Sequence, residues 1–355
     1  MWLSPPPKTS ADKLREAYRT KNHTYQKVRH VTIIPVPPRT ESAMHGALSD
    51  ESLGMMRIEN YQALVDKLRL VHDIQSIAFA GDNVTSWGEL GKALYYAHNH
   101  DIATSIFTDG RSYSEKIQPH LVKLDLTTYL REPDQRADII EHIETYIRRG
   151  RHVILLYSFG ADDPLEWLEE AAMLAKHYQL RCNLKPRFEL HKANKGEPQP
   201  TQPFPFTSAF RERLLLAARL MRDELGQEKL PTFPIPFCLF SESELKEIRT
   251  KPGLTGTCSD CPMGQFTFYA DGATVSPCAL LPVTASLRHH LNLYELYETE
   301  MLPAMQRLQE IVPPKCTGCT HFKKKECFHG CLASRYYCEE HTPDTRTPPV
   351  NWENN

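Results

Sequence analysis

The cysteines constrain this chain more than any other feature. Residues 1–181 contain none, Cys182 and Cys238 stand alone, and the remaining eight of the ten fall between 258 and 338. Cys258, Cys261, Cys278, Cys316, Cys319, Cys327, Cys331 and Cys338 therefore occupy about a tenth of the positions in that segment, a density that marks a module organised by its cysteines. The opening Met1–Lys8 lacks the apolar core of a secretory signal, which disfavours a disulfide framework. Thiolates in C-x2-C and C-x3-C groups instead suggest metal, because a short loop lets two of them converge on one centre. Eight ligands suit two four-ligand sites. Paired zinc knuckles usually lie ~15–20 residues apart. Here a long stretch holding only Cys278 separates Cys261 from Cys316, which favours iron–sulfur clusters and leaves zinc as the alternative.

Upstream, apolar strands alternate with amphipathic helices. Strands are expected at Val28–Val36, Ser76–Ala80, Ala103–Thr108, Leu121–Thr127, His152–Ser158 and Leu180–Leu184, with a last one at Pro236–Phe240. Helices are expected at Asn60–His72, Ser86–His98 with Ser86 as N-cap, Asp134–Arg149 stopped by Gly150, Pro164–His177 and Phe206–Leu225. The short strands read as lacking polar alternation, the mark of a parallel sheet covered by helices. A partial barrel of about six βα units fits, as does a doubly wound sheet, and in either case ligands gather at the C-terminal strand ends. Pro186–Pro205 reads as a long loop.

Composition narrows the function. With 42 basic against 44 acidic residues and a net charge of -2, bulk electrostatics do not favour nucleic acid as a partner. No apolar run is long enough for a membrane span, and a cytoplasmic protein is expected.

The cysteine segment resembles the SPASM domain, the C-terminal auxiliary-cluster module of many radical SAM peptide-modifying enzymes. The residues that carry this are Cys261, Phe268-Tyr269-Ala270-Asp271-Gly272 running to Ser276-Pro277-Cys278, Cys316-Thr317-Gly318-Cys319, and Cys327-Phe328-His329-Gly330-Cys331. The intervals Gly272–Cys278 and Cys319–Cys327 are slightly longer than the family's. Upstream, Val31–Ile34 looks like the first strand of the radical SAM barrel. Ser76–Asn83 stands where the family has its Gly-Gly-Glu-Pro stretch, and Thr108-Asp109-Gly110 resembles its Thr-Asn-Gly.

The resemblance implies an α/β fold: a partial (β/α)6 radical SAM-like barrel over 28–250 and a small SPASM-like iron–sulfur domain over 251–342. A 1–27 extension and a 343–355 tail flank them. It implies two [4Fe–4S] auxiliary clusters, one on Cys258, Cys261, Cys278 and Cys331, the other on Cys316, Cys319, Cys327 and Cys338. It places a degenerate S-adenosylmethionine-binding stretch at Gly81, Asp82 and Asn83. The family's C-x3-C-x2-C after the first strand is missing, with Pro35, Arg39 and Ser42 at its spacing. Those three thiolates hold the cluster that cleaves S-adenosylmethionine. The expectation is thus an accessory, electron-transferring or substrate-presenting partner of an active radical SAM enzyme. The alternatives are an active maturase of a peptide or small molecule, and a zinc-stabilised scaffold. Cys182, Asp109 and Asp162-Asp163 are read as structural, and Arg39 as a cation that would suit an anionic group at the barrel mouth.

Overall fold

The computed structural model describes residues 28–36, 54–81, 84–113, 118–187, 208–227, 239–245, 265–278, 283–288, 292–310 and 316–324. Six strands come first: β1 (His30–Ile33), β2 (Ser76–Phe79), β3 (Ala103–Thr108), β4 (Leu121–Asp125), β5 (His152–Phe159) and β6 (Arg181–Pro186). They pair in chain order, all parallel. The helices are α1 (Ile58–Val71), α2 (Leu90–His98), α3 (Thr127–Arg131), α4 (Arg136–Arg148), α5 (Leu165–His177) and α6 (Ser208–Arg219). The parallel, helix-covered sheet is what the strand–helix alternation leads one to expect, and its form is the radical SAM-like α/β barrel that the resemblance implies.

The sheet does not stop at β1. A seventh strand, β7 (Gln265–Phe268), pairs parallel to the free side of β1, and β8 (Thr274–Ser276) and β9 (Ala285–Ser286) continue antiparallel. The order is β6-β5-β4-β3-β2-β1-β7-β8-β9. After it come α7 (Leu293–Leu296), a π-helical turn, α8 (Leu302–Glu310) and α9 (Thr320–Lys323).

Helix faces follow from apolar spacing. Tyr61, Leu64, Val65 and Leu68 of α1 repeat at three and four residues and are buried together. Each such side chain contributes about 1.5–3 kcal/mol on burial. On α5 the buried positions include Ala171, Ala172 and Ala175, which let that helix lie close to the strands. Gly150 ends α4 at φ +67, a left-handed conformation suited to a residue without Cβ.

Two local expectations are corrected. Ser86 does not cap α2. It ends a short 3₁₀ turn, Val84–Ser86, and the helix starts after Glu89, whose side chain makes no capping bond. Trp87 accounts for this: its ring is buried and its Nε1–H donates to the Met56 carbonyl at 2.8 Å, which fixes the turn before the helix can begin. The expected strand at Pro236–Phe240 is also not one where it is described. Leu239 and Phe240 lie in a turn, with Phe240 buried in the core, while 236–238 fall outside the described residues. A short apolar run signals burial, and burial alone does not specify a strand.

The segment after β7 is docked on the first helix. Lys67 Nζ donates to the Leu287 carbonyl. The Leu293 N–H donates to His72 Nε2 at 3.1 Å, and the Tyr294 ring stands edge-on to His72. The β7–β8 hairpin turns on Asp271-Gly272, an Asp-Gly pair of the kind that favours tight hairpin turns. Asp271 accepts the N–H groups of Ala273 and Thr274 and the Thr274 hydroxyl, and Gly272 adopts φ +69.

Candidate functional site

The strands have two unlike faces. Val31, Ile33, Ile77, Phe79, Ile106, Val122, Leu124, Leu155 and Leu184 are shielded beneath the helices. The residues between them face the opposite side, by the two-residue period of a strand. The expectation of strands without polar alternation is therefore corrected. β4 alternates half-buried Leu121, Lys123 and Asp125 with fully buried Val122 and Leu124. A helix-covered face needs apolar side chains throughout, whereas the inner face of an open barrel does not.

That inner face has an apolar end and a charged middle. Ile34, Ala80 and Tyr269 pack together with Phe107 beside them. Lys123, the register partner of Phe107, holds its Nζ 4.6 Å from the Phe107 ring centroid, a cation–π contact. Burial lowers the Lys123 amine below the ordinary lysine range, and the like charge of Lys185 on β6 lowers it further. Burial also lowers Lys185, which Asp125 partly offsets. Burial raises Asp109 at the end of β3, against the backbone and guanidinium of Arg111. Asn183 Oδ1, level with Asp125 but two strands over, with Leu156 of β5 between them, is buried with no hydrogen-bond donor among the described residues. Lys123, Asp125, Asn183 and Lys185 belong to no motif in the sequence and are not among the residues it singles out. The signal was present in Leu121-Val122-Lys123-Leu124-Asp125, whose charges fall on one side of a strand.

The residues singled out from sequence are distributed as follows. Gly81 follows β2 at φ +137. A Cβ there would stand 3.5 Å from the Val36 carbonyl oxygen and 3.8 Å from Ile34 Cγ2, so the chain ends after β1 and β2 approach closely at this glycine. Asp82 and Asn83 lie outside the described residues, as do Arg39 and Ser42. Pro35, which the resemblance sets at the spacing of the family's first cysteine, uses its carbonyl to accept the Met56 N–H at 2.8 Å.

Of the eight clustered cysteines, Cys278, Cys316 and Cys319 are described, and all three are half-buried. Cys258, Cys261, Cys327, Cys331 and Cys338 lie outside. The Cys319 N–H donates to the Cys316 carbonyl at 3.1 Å, closing a tight turn that leads into α9. A turn of this kind can offer two thiolates to one centre, so this donor pair fits a zinc or iron–sulfur site. Exposed Lys323 and Lys324 follow it. Cys278 sits after β8 against the core, its N–H directed to Ser276 Oγ at 3.2 Å. Cys182 behaves differently. It is fully buried on the helix-covered side of β6, and burial pushes its thiol up to about 12, as suits a core residue.

Asp163 is the centre of a brace after β5. It accepts from Arg131 at 2.9 Å, the Tyr157 hydroxyl at 2.9 Å, the Gly160 N–H at 2.8 Å and Arg187 at 3.4 Å. Burial alone would raise its carboxyl, but these donors outweigh it and hold the group below the usual range. Arg213 ties α6 to the Asp163 carbonyl.

No protein-family model matches the chain, and no curated protein matches its sequence. Solved structures do match in fold. Streptococcus suis SuiB bound to S-adenosylmethionine aligns over 91% of this chain and 77% of its own, at 12% identity and a TM-score of 0.61. The same protein bound to precursor peptide SuiA covers 94% and 80%, at 11% identity and a TM-score of 0.58. Native anSMEcpe with bound AdoMet covers 88% of this chain and 91% of its own, at 16% identity and a TM-score of 0.57. The chain is thus similar, over most of its length, to the radical SAM-like barrel fold of these proteins.

Proposed function

We propose that this chain is an accessory radical SAM/SPASM-like protein. In this reading it presents a substrate to, or passes electrons to, an active radical SAM enzyme. The observation that carries it is the end of β1. The chain has no cysteine before Cys182, and Pro35 stands where the first cluster ligand would be, its carbonyl engaged by Met56. A three-thiolate cluster cannot be built from Pro35, Arg39 and Ser42, since proline offers no donor, guanidinium stays protonated and a hydroxyl binds such iron poorly.

The C-terminal cysteines are the ligands for two auxiliary [4Fe–4S] clusters: Cys258, Cys261, Cys278 and Cys331 for one, Cys316, Cys319, Cys327 and Cys338 for the other. The Cys316–Cys319 turn supports this assignment. When bound, such clusters supply one-electron transfer. The exposed Lys323 and Lys324 beside them suit docking of an acidic redox partner. The barrel's own contribution is to bind and orient. SuiB with SuiA and anSMEcpe with the Cp18Cys peptide are structures of this fold with peptides bound, which supports a peptide as the presented substrate. A residual S-adenosylmethionine site would rest on Gly81, Asp82 and Asn83. The setting is cytoplasmic in this reading, and among the described residues no helix is long and apolar enough to cross a membrane.

The test is anaerobic incubation of the purified chain with S-adenosylmethionine and a strong reductant. No 5'-deoxyadenosine is expected from this chain alone. Its appearance would refute the accessory role and favour an active maturase.

A further inference from the structure

Lys123 is an amine with little to satisfy it. It stands over the Phe107 ring on the inner face of β4, and no carboxylate among the described residues lies within ion-pair distance of it. The charges around it are otherwise matched. Asp109 pairs with Arg111, and Asp125 acts as counter-charge toward Lys185. The Lys123 charge is left over. Burying a cation beside a second cation is costly, and proteins keep such groups where they bind something. Asn183 Oδ1, on the same face and buried without a donor among the described residues, is a second unsatisfied group of the opposite kind. An aromatic platform, two amines and an orphaned carbonyl oxygen together describe a receptor for an anionic group with a hydrogen-bond donor next to it.

We propose that Lys123 and Lys185 form an anion subsite on the inner face of the barrel, taking a carboxylate or phosphate of the ligand. Asn183 Oδ1 accepts from an N–H or O–H beside that group. The subsite rests on the ligand-binding barrel proposed above but not on any iron. A bound anion supplies the counter-charge that Lys123 lacks, so both amines are fully protonated in the complex. Lys123 is the anchor and Lys185 the second contact.

Calorimetry on the whole protein with inorganic phosphate, acetate and a short peptide carrying a free C-terminal carboxylate separates the sources of the anion. At least one should bind. Lys123→Met and Lys185→Met should each weaken that binding about tenfold or more, the worth of one hydrogen bond to a charged group, and Lys123→Arg should retain most of it. A second readout needs no substitution. Limiting reductive methylation at neutral pH, read by mass spectrometry, should modify Lys123 ahead of exposed Lys92 and Lys176, and the bound probe should shield it. Failure of all three probes to bind, binding unchanged in both methionine variants, or a Lys123 that the probe does not shield would each overturn the subsite. Absence of iron from the same preparation would count against the cluster assignment and leave the subsite standing.

Discussion

On β4, Val122 and Leu124 are completely shielded beneath the helices, while Lys123 and Asp125, one residue out of phase, are half-buried and charged. The same contrast runs along β6, where Cys182 and Leu184 are fully buried and Asn183 and Lys185 face the other way. One backbone therefore carries two kinds of selection. The covered face contributes stability through apolar area. The inner face accepts a cost, in desolvated amines and a carbonyl oxygen without a donor among the described residues, that packing does not require. A protein that used its barrel only as a platform for C-terminal cysteines would have no need of that second face.

The sharpest way to break this comparison uses neighbouring residues. Leu124→Ala should destabilise by about 2–5 kcal/mol in denaturant titration, through lost transfer energy and the cavity left behind. Lys123→Met, one residue away, should cost nothing and is expected to stabilise, because it removes a poorly compensated charge and keeps the aliphatic stem. Equal losses at both sites would make the inner face a structural one.

The covered side also holds a pH-dependent contact. Burial lowers His72 from the ordinary histidine value to about 4, and its neutral Nε2 accepts the Leu293 N–H. Between pH 6.5 and about 4 the unfolded chain binds the proton that the folded chain refuses. Stability should therefore be complete above that window and fall by about 3 kcal/mol as pH drops through it. His72→Gln should flatten the dependence, and melting temperatures across the window measure both. An unchanged slope in the variant would show that α1 does not hold the Leu293 segment in this way.

A smaller effect separates the hairpin from the cysteine turn. Gly272→Ala should cost about 1–2 kcal/mol, since φ is positive there and the new Cβ would lie 3.3 Å from the Asn60 carbonyl oxygen. Gly318→Ala, with nothing within 4 Å of the added atom, should leave melting unchanged. Thermal unfolding of the two variants side by side gives the difference.

The six barrel strands, the stop at Gly150 and the turn at Asp271-Gly272 were legible because each rests on local signals: apolar runs, helical spacing and a glycine where φ is positive. The parallel, helix-covered sheet followed from that alternation, and the choice of a partial barrel over a doubly wound sheet came from the family resemblance. The start of α2 was not legible, because Trp87 reaches across to Met56 and no local rule encodes that contact. Nor was the seventh strand, since Gln265–Phe268 pairs with β1 from more than two hundred residues away while the more apolar stretch ending at Phe240 turns into the core. Of the candidate site, the clustered cysteines stood out through spacing. Lys123 and Lys185 were not, because a lysine between apolar neighbours reads as surface until the curvature of the sheet gives it an inner side.

The contrast between a cysteine-bearing C-terminal segment and a barrel mouth built on Pro35 is tested most directly by iron and acid-labile sulfide in anaerobically purified protein. Two auxiliary clusters and an empty first-strand loop predict about eight irons and eight sulfides per chain, with about half lost in Cys319→Ala and none in Cys182→Ala. A count near twelve irons, or zinc near two per chain with no sulfide, would contradict the account.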